Sequence, residues 1–171
     1  TIINNFKPGT LFVDCSTIDV DKAKDLHEKC KAKNLLSLDA PVSGGVGGAE
    51  QATLTFMVGG TDNAYNKMLP LFEIMGKKSL LCGSPGSGQA TKACNNMLLA
   101  TTMISVGEAF ALGQNLGIDP EKLFEIISTS TGSCWSINSY CPIKSIGPTS
   151  PADNDFRPGF SADLMLKDLT I

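Results

Sequence analysis

The chain has 171 residues, 42% hydrophobic and 18% charged, with a net charge of -3, enough for about one domain or slightly more. A charged fraction below the globular average of about 25%, beside this apolar content, excludes a disordered chain. Lys and Arg number 14 against 17 Asp and Glu, and there is no basic run, so nucleic acid is not an expected partner.

Lys7-Pro8-Gly9 reads as a turn, and Thr10-Leu-Phe-Val-Asp14 as a short, buried parallel strand. Val20, Ala23, Leu26 and Cys30 recur at helical spacing with charges between them, which predicts an amphipathic helix over 19–33 with Asp19 as its N-cap. His27 sits among those charges and is expected on the solvated face. Leu35–Leu38 returns as a strand, completing a strand–helix–strand unit. Asp39–Ala49 then leaves as a glycine-dense loop, in the place where open α/β sheets bind ligands, beyond the carboxyl end of a strand. Within it, Ser43-Gly44-Gly45 can offer consecutive N–H groups to a carboxylate, or be a bare turn. Thr53–Val58 reads as a strand, 62–75 as a helix with Leu69, Phe72 and Met75 inward, and Lys78–Cys82 as a further strand.

From Ser87 to Gly117 no strong breaker intervenes, which predicts a helix of nearly thirty residues. Its apolar stretch Met97–Gly107, interrupted by Thr and Ser, is too short and polar for a membrane span and reads as a core helix buried on most sides. Asp119 and Pro120 open another helix as N-cap and first residue. Residues 138–159 read as a loop, and Phe160–Ile171 as the start of a last helix. The composition changes near Gly83–Gly86, which divides the chain into an α/β part, 1–84, and an all-α part, 85–171.

Gly83-Ser-Pro-Gly-Ser-Gly88 matches the first half of a phosphate-cradling loop, but Gln89 and Ala90 stand where that motif needs Lys and Ser or Thr. A complete GxGxxG is absent as well. Lys92 and Asn96 are four apart and share a helix face, with Asn95 beside them. Polar groups there are costly if buried without partners, and are otherwise a solvated first turn. A lysine near the positive end of a helix is pushed toward its neutral form when desolvated, which suits a proton shuttle. Trp135 is read as core. Six cysteines without a CxxC pair, beside one histidine, predict no metal site and free thiols in a reducing compartment.

Three blocks, Asp39-Ala-Pro-Val-Ser-Gly-Gly-Val-Gly-Gly-Ala49, Gly86-x-Gly88-x-x-x-Lys92-x-x-Asn95-Asn96 and Phe160-x-x-x-Leu164-x-x-Lys167-Asp168-Leu169, resemble the β-hydroxyacid dehydrogenase family in order and spacing. Leu54–Gly60, Cys94–Ala100 and Gly132-x-Cys134-Trp135-Ser136 are most similar to the branch that acts on 3-hydroxyisobutyrate, although Ser133 replaces an arginine usual there. The resemblance implies the C-terminal part of a Rossmann-type α/β domain followed by an all-α domain built on a long interdomain helix. It also implies NAD-dependent oxidation of an alcohol carbon β to a carboxylate, yielding a semialdehyde. Lys92 is then the general acid/base and Asn96 its companion, with Ser43, Gly44, Gly45 and Asn95 at the substrate and Ser16, Thr17, Phe160 and Lys167 at the dinucleotide. Homo-oligomers and a mitochondrial matrix location, or a cytoplasmic one in bacteria, follow from the same resemblance. Tartronate and succinic semialdehyde reductases share Lys92 and Asn96 and stay open, whereas 6-phosphogluconate dehydrogenase pairs its lysine with His-Asn in place of Asn95-Asn96. The chain opens without Met and stops inside a helical pattern, so a fragment lacking the GxGxxG loop, and inactive alone, is expected.

Overall fold

A computed structural model describes residues 2–157 and 159–171. The chain forms two compact units, one of residues 1–95 with 166–171 and one of residues 96–165.

The first unit is an α/β sheet built from two strand–helix–strand units. In the first, β1 (Leu11–Asp14) and β2 (Leu36–Asp39) pair in parallel around α1 (Val20–Lys31). Asp19 caps α1 as its sequence position predicts, its carboxylate accepting from the N–H groups of Asp21 and Lys22. In the second, β4 (Leu54–Gly60) and β5 (Gly76–Gly83) pair in parallel around α3 (Asp62–Met75). The two halves meet antiparallel, β2 against β4, with Asp39 opposite Gly59.

Beyond Asp39 the chain does not leave the sheet as a loop. β3 (Val42–Ser43) continues alongside β4, the ladder being broken only at Ala40–Pro41, because proline has no N–H to give. The main-chain groups there still find partners: Ala40 N–H donates to the Asp14 carbonyl at 2.8 Å, and the Pro41 carbonyl accepts from Met57 at 3.0 Å. The glycines that follow form a short helix, α2 (Gly45–Glu50), after a turn at Gly44 (φ +136°) and Gly45 (φ +62°) that L-residues rarely adopt.

Leu38, Ala40, Phe56, Val58, Ala64, Met68 and Phe72 form the sheet–helix core, with the Phe56 and Phe72 rings 4.6 Å apart. Met75, expected inward, is exposed at the last turn of α3, and Met68 fills the inward face two turns earlier. His27 is not solvated: its ring is buried on the sheet side of α1, which costs little because both ring nitrogens are bonded. A smaller cluster of Ile3, Cys30 and Leu35 closes the other end of α1.

α4 (Ser87–Asn115) begins in the first unit and continues into the second. It is long and apolar enough to cross a membrane, contrary to the sequence expectation. Its first two turns are nevertheless tied to a globular core, since Gln89 and Lys92 are buried there with hydrogen bonds to the sheet region. Nor is the helix buried on most sides, for within this chain Met97, Leu98, Ile104 and Leu112 are exposed. The second unit packs Val106 and Phe110 of α4 with Ile137, Cys141 and Ile146, and with Leu123, Phe124 and Ile127 from α5 (Pro120–Thr129) or its flank. A four-residue helix, α6 (Trp135–Asn138), leads into the expected loop, which is itself interrupted by a 3-10 turn at Pro151–Asn154. Trp135, expected in the core, is 54% exposed and stacks on Tyr140 instead; Ile137 of the same turn takes the buried position. The last helix, α7 (Ala162–Leu169), leads back into the first unit.

Candidate active site

The first turns of α4 meet the carboxyl ends of β1 and β2 and the start of the glycine turn. Lys92 is buried, and its Nζ donates to the Val42 carbonyl at 2.8 Å, one residue before Ser43-Gly44-Gly45. Burial holds its pKa below the ordinary lysine value; Asp168 acts against this, and the Lys167 charge acts with it. A buried amine so depressed exchanges a proton more readily near neutrality than a surface lysine does.

The end of α7 supplies the second part. Lys167 donates from Nζ to the Thr17 carbonyl at 2.7 Å, across 150 residues of sequence, and pairs with the buried Asp168 carboxylate at 2.6 Å. The structure thus brings Lys92, Ser43, Thr17 and Lys167 into one unit. Ser16 and Cys15 are exposed at the carboxyl end of β1. The loop holding them is fixed by Gln89, whose Nε2 donates to the Ser16 carbonyl at 2.7 Å and whose Oε1 accepts from Ile18 N–H at 3.1 Å.

Asn95 is half-buried beside Lys92 on α4, and Asn96 is buried one residue further, at the start of the second unit. Phe160 is 41% exposed in that second unit, ahead of α7.

Sequence reasoning missed four polar residues here: His27, Asp39, Gln89 and Asp168. Asp39 is 2% exposed at the end of β2 and accepts from Gly86 N–H at 2.8 Å, Gln89 N–H at 2.9 Å and His27 Nε2 at 3.1 Å. Burial pushes its carboxyl upward, but the hydrogen bonds from His27, Gly86 and Gln89 and the His27 charge outweigh it, leaving its pKa below the usual value. The available signal was an acidic residue ending an apolar strand, where a carboxylate can meet a helix N-terminus.

Residues 1–83 match the family described as the NAD binding domain of 6-phosphogluconate dehydrogenase, and residues 86–171 match that described as NAD-binding of NADP-dependent 3-hydroxyisobutyrate dehydrogenase. The chain belongs to the 3-hydroxyisobutyrate dehydrogenase family. It is 52% identical over 160 residues to the mitochondrial 3-hydroxyisobutyrate dehydrogenase of Drosophila melanogaster, covering 94% of this chain and 49% of that protein. The rat mitochondrial 3-hydroxyisobutyrate dehydrogenase is 44% identical over 168 residues, 98% of this chain and 50% of the relative. The structure of the Mycobacterium tuberculosis 3-hydroxyisobutyrate dehydrogenase with L-serine superposes with a TM-score of 0.93 at 48% identity, over 98% of this chain and 58% of that one. The chain therefore spans about half the length of the curated 3-hydroxyisobutyrate dehydrogenases it matches.

A nicotinamide dinucleotide, which the family implies, suits the residues present at the end of β1. The Cys15–Ile18 segment is exposed at Ser16, rigidly held through its main chain by Gln89, and flanked by the Lys167 ammonium. A polar edge beside a lysine, beyond the carboxyl end of a parallel strand, is a place where a dinucleotide can be bordered in an open α/β sheet.

Proposed function

We propose that the protein oxidises 3-hydroxyisobutyrate, a short acid with its hydroxyl on the β carbon, to methylmalonate semialdehyde in valine catabolism. The observation that carries this reading is the buried, pKa-depressed Lys92 held on the Val42 carbonyl next to the Ser43-Gly44-Gly45 turn. In its neutral form Lys92 takes the hydroxyl proton as the alcohol is oxidised; in the reverse direction its ammonium returns that proton. The Ser43 hydroxyl and the N–H groups of the turn bind the substrate carboxylate, which fixes the β carbon relative to Lys92. Asn95 and Asn96, on the same side of α4 as the lysine or adjoining it, orient substrate and amine. Ser16, Thr17 and Lys167 border the dinucleotide, which supplies the two-electron acceptor when bound. The mitochondrial relatives support a matrix location in a eukaryote, and the exposed apolar residues of α4 support assembly of the full-length protein into a homo-oligomer.

The test is a panel of β-hydroxy acids, including tartronate-type and succinic semialdehyde substrates and 6-phosphogluconate, assayed with NAD and with NADP on the full-length protein. We expect 3-hydroxyisobutyrate to be preferred, and Lys92→Ala to lower kcat on the order of 10²-fold or more with the fold retained. Strict preference for 6-phosphogluconate, or wild-type turnover in a well-folded Lys92→Ala protein, overturns the reading.

A further inference from the structure

Asp39 is placed where no bulkier surroundings would admit it. A Cβ built on Gly59 would lie 2.4 Å from Asp39 Oδ1, and one on Gly88 would lie 2.8 Å from Oδ2. Two glycines, one on β4 and one in the first turn of α4, thus leave the space that the carboxylate occupies. Into that space point two main-chain N–H groups from the start of α4, Gly86 and Gln89, and one imidazole, His27. A carboxylate only accepts, so His27 donates to it from Nε2. The Ser37 hydroxyl, 2.7 Å from Nδ1, completes the ring's bonding.

The same stretch of chain grips α4 a second time three residues later, where the Val42 carbonyl accepts from Lys92. Asp39 therefore sets the axial and rotational position of the helix's first turn, while Val42 receives the side chain that this turn carries. Gln89, whose N–H Asp39 holds, also bonds the Ser16 and Ile18 main chain with its side-chain amide. One buried carboxylate is thereby linked to both the lysine and the loop at the end of β1.

We propose that Asp39, oriented by His27 and Ser37, is a positioning residue for the reaction: it fixes the first turn of α4 so that Lys92 Nζ and the Ser16–Ile18 loop keep their productive relation. The proposal rests on the reading of Lys92 as the general acid/base.

The experiment is a double-mutant cycle in the full-length enzyme between Asp39→Asn and Lys92→Ala, with kcat and KM measured for the β-hydroxy acid and the dinucleotide. Asp39→Asn is isosteric, so it keeps the packing and one acceptor while losing the charge and the second acceptor. We expect it to lower kcat by about tenfold, the scale of a small misplacement of a reacting group, and to leave the KM of the acid within about twofold. Asp39→Glu, which keeps the charge but overfills the glycine-lined space, should not rescue. In the Lys92→Ala background, at saturating dinucleotide, Asp39→Asn should cost kcat nothing further, because the lysine that Asp39 positions is gone; its effect through Gln89 on the Ser16–Ile18 loop should remain only in the KM of the dinucleotide. Full additivity of the two substitutions, or a wild-type kcat in folded Asp39→Asn, overturns the proposal. Wild-type turnover of Lys92→Ala overturns instead the functional reading beneath it, so the two failures are told apart.

Discussion

Gly88→Ala tests how closely α4 must lie on the sheet. An added Cβ would stand 2.5 Å from the Met57 carbonyl oxygen, 2.6 Å from that of Asp39 and 2.8 Å from Asp39 Oδ2. Carbon and oxygen approach no closer than about 3.3 Å in ordinary contacts, so the first turn must retreat by roughly 0.7 Å. Two opposing effects then compete. At the second residue of α4 alanine gains less than the roughly 1 kcal/mol over glycine of a helix interior, whereas overpacking costs about 1–3 kcal/mol. Retreat also stretches the Asp39–Gln89 and Lys92–Val42 bonds, now 2.9 and 2.8 Å, and hydrogen bonds to charged groups contribute about 1.5–3 kcal/mol each. The clash and the strained bonds outweigh propensity, and we expect a net loss of about 2–4 kcal/mol. Urea unfolding of the full-length protein measures it, and kcat should fall on the order of tenfold as Lys92 moves. Gly107, on the same helix, meets nothing within 4 Å, so Gly107→Ala should be stabilising by up to about 1 kcal/mol. Equal behaviour of the two substitutions, or a Gly88→Ala protein as stable as the wild type, would refute the close packing of α4 on β2 and β4.

Two titration predictions follow from the same region. Because the folded-state pKa of Asp39 is lowered, its contribution to stability is present above the unfolded carboxylate pKa and is lost as pH falls through the lowered folded value. The stability difference between wild type and Asp39→Asn in urea unfolding should therefore narrow on acidification; a difference that widens contradicts the assigned direction. Asp168 raises the pKa of Lys92 against the effect of burial, so Asp168→Asn should move the lysine-dependent limb of kcat/KM for alcohol oxidation to lower pH. A limb that stays in place or moves upward removes Asp168 from the electrostatics of Lys92.

Much of the candidate site was legible because it rests on local patterns. Lys92 was singled out as a polar residue one turn inside an apolar helix, and the structure finds it buried with its amine engaged. The Ser43-Gly44-Gly45 turn was visible from glycine density, and its positive φ angles agree. His27 was misread because charges surround it along α1, and a helical periodicity cannot register a carboxylate twelve residues away on another element. Trp135 was misread for the converse reason: size and hydrophobicity favour burial, but in a four-residue turn Ile137 holds the inward position and the indole is left to stack on Tyr140.

Helix starts at Asp19 and Asp119, the extent of α1, α3 and α4, and the pairing of successive strands around a helix were determined by the sequence itself. Such features arise from interactions between residues a few positions apart, where side-chain spacing and capping chemistry act directly. Only the tertiary structure decided that the two strand–helix–strand units meet antiparallel, that Asp39 receives the start of α4 from 47 and 50 residues away, and that Lys167 reaches Thr17 across 150. Those contacts satisfy buried polar groups with partners that no local pattern names. They come into being only when the sheet has closed and its glycines have let the helix backbone approach.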